Sequence, residues 1–108
     1  MRDVAIVNGT VITESGLIPN GNILVESGKI TKITQARIPD ASNQIDAGGH
    51  YVSPGFVDLH IHGFGGFDAT HGDVGSLVGM NNALVKHGTT NFLPTLVSMP
   101  IFMHLRKS

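Results

Sequence analysis

His60 and His62 are the residues of this chain whose type and spacing best suit them to chemistry. In a β-strand, side chains two positions apart project to the same face, and their Cα atoms lie roughly 6.6 Å apart at about 3.3 Å rise per residue. Two imidazoles so placed can meet on one metal ion. If that ion is Zn²⁺, Fe²⁺ or a similar divalent cation with an open coordination position, it lowers the pKa of a bound water to about 7 and yields a hydroxide nucleophile near neutral pH. The structural alternative is a pair of hydrogen-bonded histidines at a strand end. Context favours the metal. Val57, Leu59 and Ile61 take the other face of the same segment, and two adjacent imidazoles in an interior are costly without a ligand.

Few other groups compete. The chain has 0 cysteines, so no disulfide framework or thiolate site exists and His and carboxylates are the strong ligands available. Asp58 shares the face of His60 one layer deeper, where it can orient an imidazole from behind. Asp68 and Asp73 suit loop and helix-start chemistry, Asp73 as a cap for a helix beginning at Val74. His87 falls in the last helical turn, where a cation complements the dipole. His71 reads as solvated, His50 as a surface turn, and His104 carries no argument. The only glutamates, Glu14 and Glu26, lie in the first half. Gly63-Phe64-Gly65-Gly66 is expected to leave the strand as a flexible loop that needs positive φ, a better reading than a phosphate site, since no P-loop Lys follows it.

The elements that must position these residues change character along the chain. Residues 3 to about 53 alternate apolar with polar side chains and are interrupted every few positions by Gly, Pro or Asn, which predicts short strands. Val4, Ile6 and Val11 can share one face. Asn22-Ile23-Leu24-Val25-Glu26 and Lys29-Ile30-Thr31-Lys32-Ile33 flank Ser27-Gly28 as a hairpin whose arms turn β-branched residues inward. Ser53-Pro54-Gly55 marks a change of direction and a domain boundary. Phe56 to His62 then reads as a strand. Val74, Leu77, Val78, Leu84 and Val85, with Met80 and Ala83 beside them, read as a helix stopped at His87-Gly88. Thr90 to Ser98 predicts a strand buried on both faces, with Pro94 an objection to a central position. Pro100 suits the first turn of a helix from Ile101 to Lys107. Strand, helix, strand, start of helix is the opening of a βαβ series with parallel strands.

Bulk properties bound the possibilities. At 108 residues the chain cannot close a (β/α)₈ barrel, which needs about 250. With 7 Lys+Arg against 8 Asp+Glu and a net charge of -1, it has no basic surface for nucleic acid. The first apolar run, Val4 to Val7, is shorter than the roughly 7–15 residues of a signal-peptide core. No stretch approaches the roughly 18 apolar residues of a membrane span. No nucleic acid, no membrane and a cytoplasmic location are the expectations.

The string Ile45-Asp46-Ala47-Gly48-Gly49, followed by Tyr51-Val52-Ser53-Pro54-Gly55-Phe56-Val57-Asp58-Leu59-His60-Ile61-His62-Gly63, resembles the signature of the amidohydrolase superfamily. Within it, the Gly-rich loop and the run His87-Gly88-Thr89-Thr90-Asn91-Phe92-Leu93-Pro94-Thr95-Leu96 resemble N-acetylglucosamine-6-phosphate deacetylases more than dihydroorotases, hydantoinases or deaminases. The resemblance implies an α/β fold. Residues 1–53 are then part of a small β-sandwich, and residues 54–108 the first βαβ unit of a truncated (β/α)₈ TIM-like barrel. It implies His60 and His62 as ligands of one or two divalent metal ions, Zn, Fe or similar. It implies deacetylation of an amino-sugar phosphate, N-acetylglucosamine 6-phosphate, to glucosamine 6-phosphate and acetate, in a parent enzyme that is a homo-oligomer. The remaining ligands of such enzymes, a Glu and two further His, and their catalytic Asp come from strands this chain lacks. On that reading no catalytic residue lies here and the chain alone is inactive. Because the His-x-His pair is shared across the superfamily, another amidohydrolase or a non-catalytic remnant are the alternatives.

Overall fold

The computed structural model of the chain describes residues 3–39 and 43–98. The chain divides into two compact units, Met1–Pro54 and Gly55–Ser108.

In the first unit β1 (Val4–Thr13), β2 (Gly16–Glu26), β3 (Lys29–Thr34) and β4 (Asn43–Asp46) form a sheet in the order β3-β2-β1-β4, and β5 (Tyr51–Val52) also pairs with β1. The hairpin of β2 and β3 closes as the sequence predicts, with Glu26 facing Lys29. Ser27 and Gly28 both have positive φ, 49° and 77°, the backbone of a primed turn whose twist matches its strands. β1 carries an extra residue against β2 between Ile6 and Gly9, at Asn8 with φ 56°. That bulge brings Val11 into phase with Val4 and Ile6, which a strict period of two would place on opposite faces. The buried Asn22 secures it, accepting the Asn8 N–H at 3.1 Å and donating to the Ala36 carbonyl at 3.0 Å. Ala5, Val11, Ile23 and Ile38 are the buried apolar residues here. One expectation is corrected: Ile30 and Ile33 on β3 are 63% and 43% exposed, because β3 is an edge strand with a neighbour on one side only.

In the second unit β6 (Phe56–Ile61) pairs in parallel with β9 (Thr89–Pro94). Between them come the hairpin of β7 (Gly63–Phe64) and β8 (Phe67–Asp68), a 3₁₀ turn Ala69–His71, and α1 (Val74–Leu84). A further 3₁₀ turn, Val85–His87, carries the helix to Gly88, whose left-handed φ of 87° ends it as predicted. Asp73 caps the start, accepting from the Ser76 N–H at 2.8 Å and the Ser76 hydroxyl at 2.7 Å. Ser76, Met80 and Leu84 are the buried helix residues, spaced four apart and so on one stripe. Met80 and Leu84 join Ala69 in a core against which Ile61, Phe64, Leu77 and Phe92 pack.

Three expectations about this unit are corrected. Val74, Val78 and Val85 point outward, 76%, 51% and 54% exposed, because the helix turns its Met80 stripe to the strands instead. The second strand stops at Pro94 rather than running to Ser98, and Leu93 and Leu96 are 56% and 70% exposed because a two-stranded sheet buries one face. The Gly-rich segment is no flexible loop. Gly65 and Gly66 form the turn of the β7/β8 hairpin with φ of 63° and 85°. The Phe67 ring fills a notch at Gly79 in which any Cβ would overlap its atoms. Phe64 meets His87 edge-on, with ring centroids 5.4 Å apart. The helix expected from Ile101 to Lys107, with Pro100 and His104, lies outside the described residues.

Two outcomes follow from this packing. Gly79→Val ejects Phe67 from its notch and lowers stability in urea denaturation by about 1–3 kcal/mol, the usual cost of overpacking; wild-type stability would show that the notch does not hold the hairpin. The Ser76 hydroxyl and backbone N–H hold the Asp73 carboxyl below its ordinary value of 3.8. A carboxylate lowered in the folded state contributes stability that is present above the ordinary carboxylate range and lost as pH falls through the folded value. Thermal melts from neutrality into strong acid therefore decline on the acid side, and Asp73→Asn, which still caps but does not ionise, makes that limb shallower.

Candidate functional site

Strand alternation builds the site. Ile61 packs on the helix core, so its neighbours His60 and His62 turn to the other face of the strand. There the two Nε2 atoms stand 3.3 Å apart, with ring centroids separated by 4.9 Å at 78°. His60 is exposed and His62 half-buried. Two nitrogens bonded to one tetrahedral zinc ion at about 2.05 Å stand about 3.3 Å apart, so the spacing of the two donors fits a shared cation.

The second ring nitrogen of His62 fixes its tautomer. Nδ1 lies 2.9 Å from the carbonyl oxygen of Thr95 and 3.1 Å from the Thr95 hydroxyl. A carbonyl oxygen accepts only, so Nδ1 carries the proton and donates it, leaving the Nε2 lone pair free. In the cation-free pair the His60 Nε2–H then donates to that lone pair. His62 is already in the form a metal ligand needs, whereas His60 must move its proton to Nδ1. The Thr95 N–H in turn donates to the Ile61 carbonyl at 2.9 Å, continuing the β6–β9 pairing one step past Pro94.

Asp58 does not reach either ring by hydrogen bond. Its carboxylate accepts the backbone N–H of His60 at 3.1 Å, at the point where the β6–β9 register shifts between Asp58 and Ile61. The side chain thus satisfies a main-chain N–H beside the irregularity. Asp68 caps the 3₁₀ turn, accepting the Thr70 N–H at 2.8 Å. Its carboxyl is held below the ordinary range first by that N–H and then by the Thr70 hydroxyl, with smaller help from His71 and His62. Among the described residues no group of three or more His, Cys, Asp or Glu could hold a metal, so the pair stands without a third protein ligand there. Sequence reasoning passed over Thr95 as a site residue. It lies 33 positions from His62, and only the parallel pairing brings the two together.

No family model matches the chain. It is 35% identical over 100 residues to N-acetylglucosamine-6-phosphate deacetylase of Bacillus subtilis, covering 91% of this chain and 24% of that protein. It is 43% identical over 65 residues to 5'-deoxyadenosine deaminase of Methanococcoides burtonii, covering 57% of this chain and 15% of that protein. The crystal structure of N-acetylglucosamine-6-phosphate deacetylase from Pasteurella multocida superposes with a TM-score of 0.84 at 28% identity, over 95% of this chain and 28% of that one. The chain spans about a quarter of the length of the curated relatives it matches. Identity of 32–38% to N-acetylglucosamine-6-phosphate deacetylases over 84–91% of the chain, with the structural match, places it in the N-acetylglucosamine-6-phosphate deacetylase family of amidohydrolases.

Proposed function

We propose that this chain forms part of a metal-dependent amide hydrolase that removes the acetyl group of N-acetylglucosamine 6-phosphate, and that His60 and His62 hold a divalent cation in it. The observation that carries the reading is the 3.3 Å approach of the two Nε2 atoms, with His62 held through Nδ1 on Thr95 so that its Nε2 is the basic nitrogen. A divalent cation bound there supplies Lewis acidity toward an amide carbonyl and lowers the pKa of a water. The chain's own contribution is positional. β6 aims both imidazoles to one face, Thr95 sets the His62 tautomer, and Asp58 accepts the His60 N–H beside the register shift. On this reading the first unit belongs to a small β-sandwich and the second opens a (β/α)₈ barrel, whose active sites lie at the C-terminal ends of the strands, as His60 does near the end of β6 and His62 just past it.

A second amidohydrolase activity is favoured by one observation, the deaminase similarity. It is confined to 57% of the chain, whereas the deacetylase similarity extends over 91%. The His-x-His strand is chemistry that many such hydrolases share, so local likeness around it does not choose a substrate. The longer match supports the deacetylase reading.

Two measurements test the proposal. Isothermal titration of the chain with Zn²⁺ shows binding that His60→Ala and His62→Ala each weaken at least about tenfold and that His87→Ala leaves unchanged. Equal binding by all four proteins would sink the metal assignment. With only two such ligands among its described residues, the chain itself releases no acetate from N-acetylglucosamine 6-phosphate. A longer protein that carries this chain does so faster than it opens hydantoin or dihydroorotate. The reverse preference would transfer the chain to the second activity.

A further inference from the structure

We infer that Thr95 is a positioning residue that makes His62 the preset member of the pair and leaves His60 as the member that adapts. The inference rests on the reading of His60 and His62 as metal ligands. Four observations carry it. The Thr95 carbonyl and hydroxyl lie 2.9 Å and 3.1 Å from the same ring nitrogen, His62 Nδ1. One N–H shared between two acceptors on one residue resists both ring rotation and loss of the Nδ1–H tautomer. The Thr95 N–H is anchored on the Ile61 carbonyl at 2.9 Å, so the acceptor pair is fixed to the strand that carries the histidine. By contrast, the His60 ring hydrogen-bonds only with His62 among the described residues, and Asp58 is occupied by the His60 main chain.

The side chain can be tested separately from the carbonyl, because Thr95→Val keeps the shape and the main-chain acceptor and deletes only the hydroxyl, while Thr95→Ser keeps the hydroxyl. Imidazole ¹⁵N spectra of the chain are recorded with and without Zn²⁺. The wild type shows His62 protonated on Nδ1 in both conditions, and His60 shifting its proton from Nε2 to Nδ1 as Zn²⁺ is added. Thr95→Val keeps the carbonyl and so leaves His62 protonated on Nδ1, but it frees the ring to rotate and lowers Zn²⁺ affinity by about tenfold. Thr95→Ser restores the affinity. Backbone amide spectra unchanged outside β6 and β9 show that each variant is folded. The inference is overturned if wild-type His62 carries its proton on Nε2, or if Thr95→Val matches the wild type in affinity. If wild-type His62 is protonated on Nδ1 but the chain takes up no Zn²⁺, the positioning role stands and the metal reading of the pair falls instead.

Discussion

The geometry of the candidate site depends on the parallel pairing of β6 with β9 at their C-terminal ends. Ile61 sits at the centre of that arrangement. Its side chain packs toward Met80 and Leu84, which commits the flanking histidines to the opposite face. Its carbonyl accepts the Thr95 N–H, which brings the Thr95 carbonyl and hydroxyl to His62. A single residue thus fixes both the direction of the imidazoles and the acceptor that orients one of them. The ladder shifts register between Asp58 and Ile61, where the Asp58 carboxylate accepts the His60 N–H.

Packing holds this pairing together more than the hydrogen bonds do. Met80 at 0% and Leu84 at 4% exposure each represent roughly 1.5–3 kcal/mol of apolar burial, against a net of about 1 kcal/mol for an ordinary hydrogen bond. The helix can approach closely because its surface is notched. Gly79 admits the Phe67 ring and Gly65 of the hairpin turn comes up against Ala83, so the segment after His62 is held on α1 and does not swing free. Stability therefore comes mainly from the helix side of β6 and chemistry from the other, a division that strand alternation permits within six residues.

The first unit shows the same logic without a chemical site. Its β1 bulge keeps Val4, Ile6 and Val11 on one face despite their odd spacing, and Asn22 is buried only because both ends of its amide are used. A polar residue there is tolerated because it satisfies the Asn8 N–H at the bulge and the Ala36 carbonyl beyond β3.

The sequence by itself determined what is local. The Ser27-Gly28 turn, the Asp73 cap, the Gly88 stop and the common face of His60 and His62 all follow from positive-φ preference, capping chemistry and the period of a strand, each acting within a few residues. Tertiary structure decided what depends on distant partners. The helix buries the Ser76, Met80 and Leu84 stripe rather than the Val74, Val78 and Val85 stripe, although both have helical spacing, because only packing against β6 and β9 distinguishes them. The glycine run becomes a pinned hairpin because Gly79 lies across from Phe67. Thr95 becomes the partner of His62 because two strands separated by a helix lie side by side, and no local pattern encodes a contact across 33 residues.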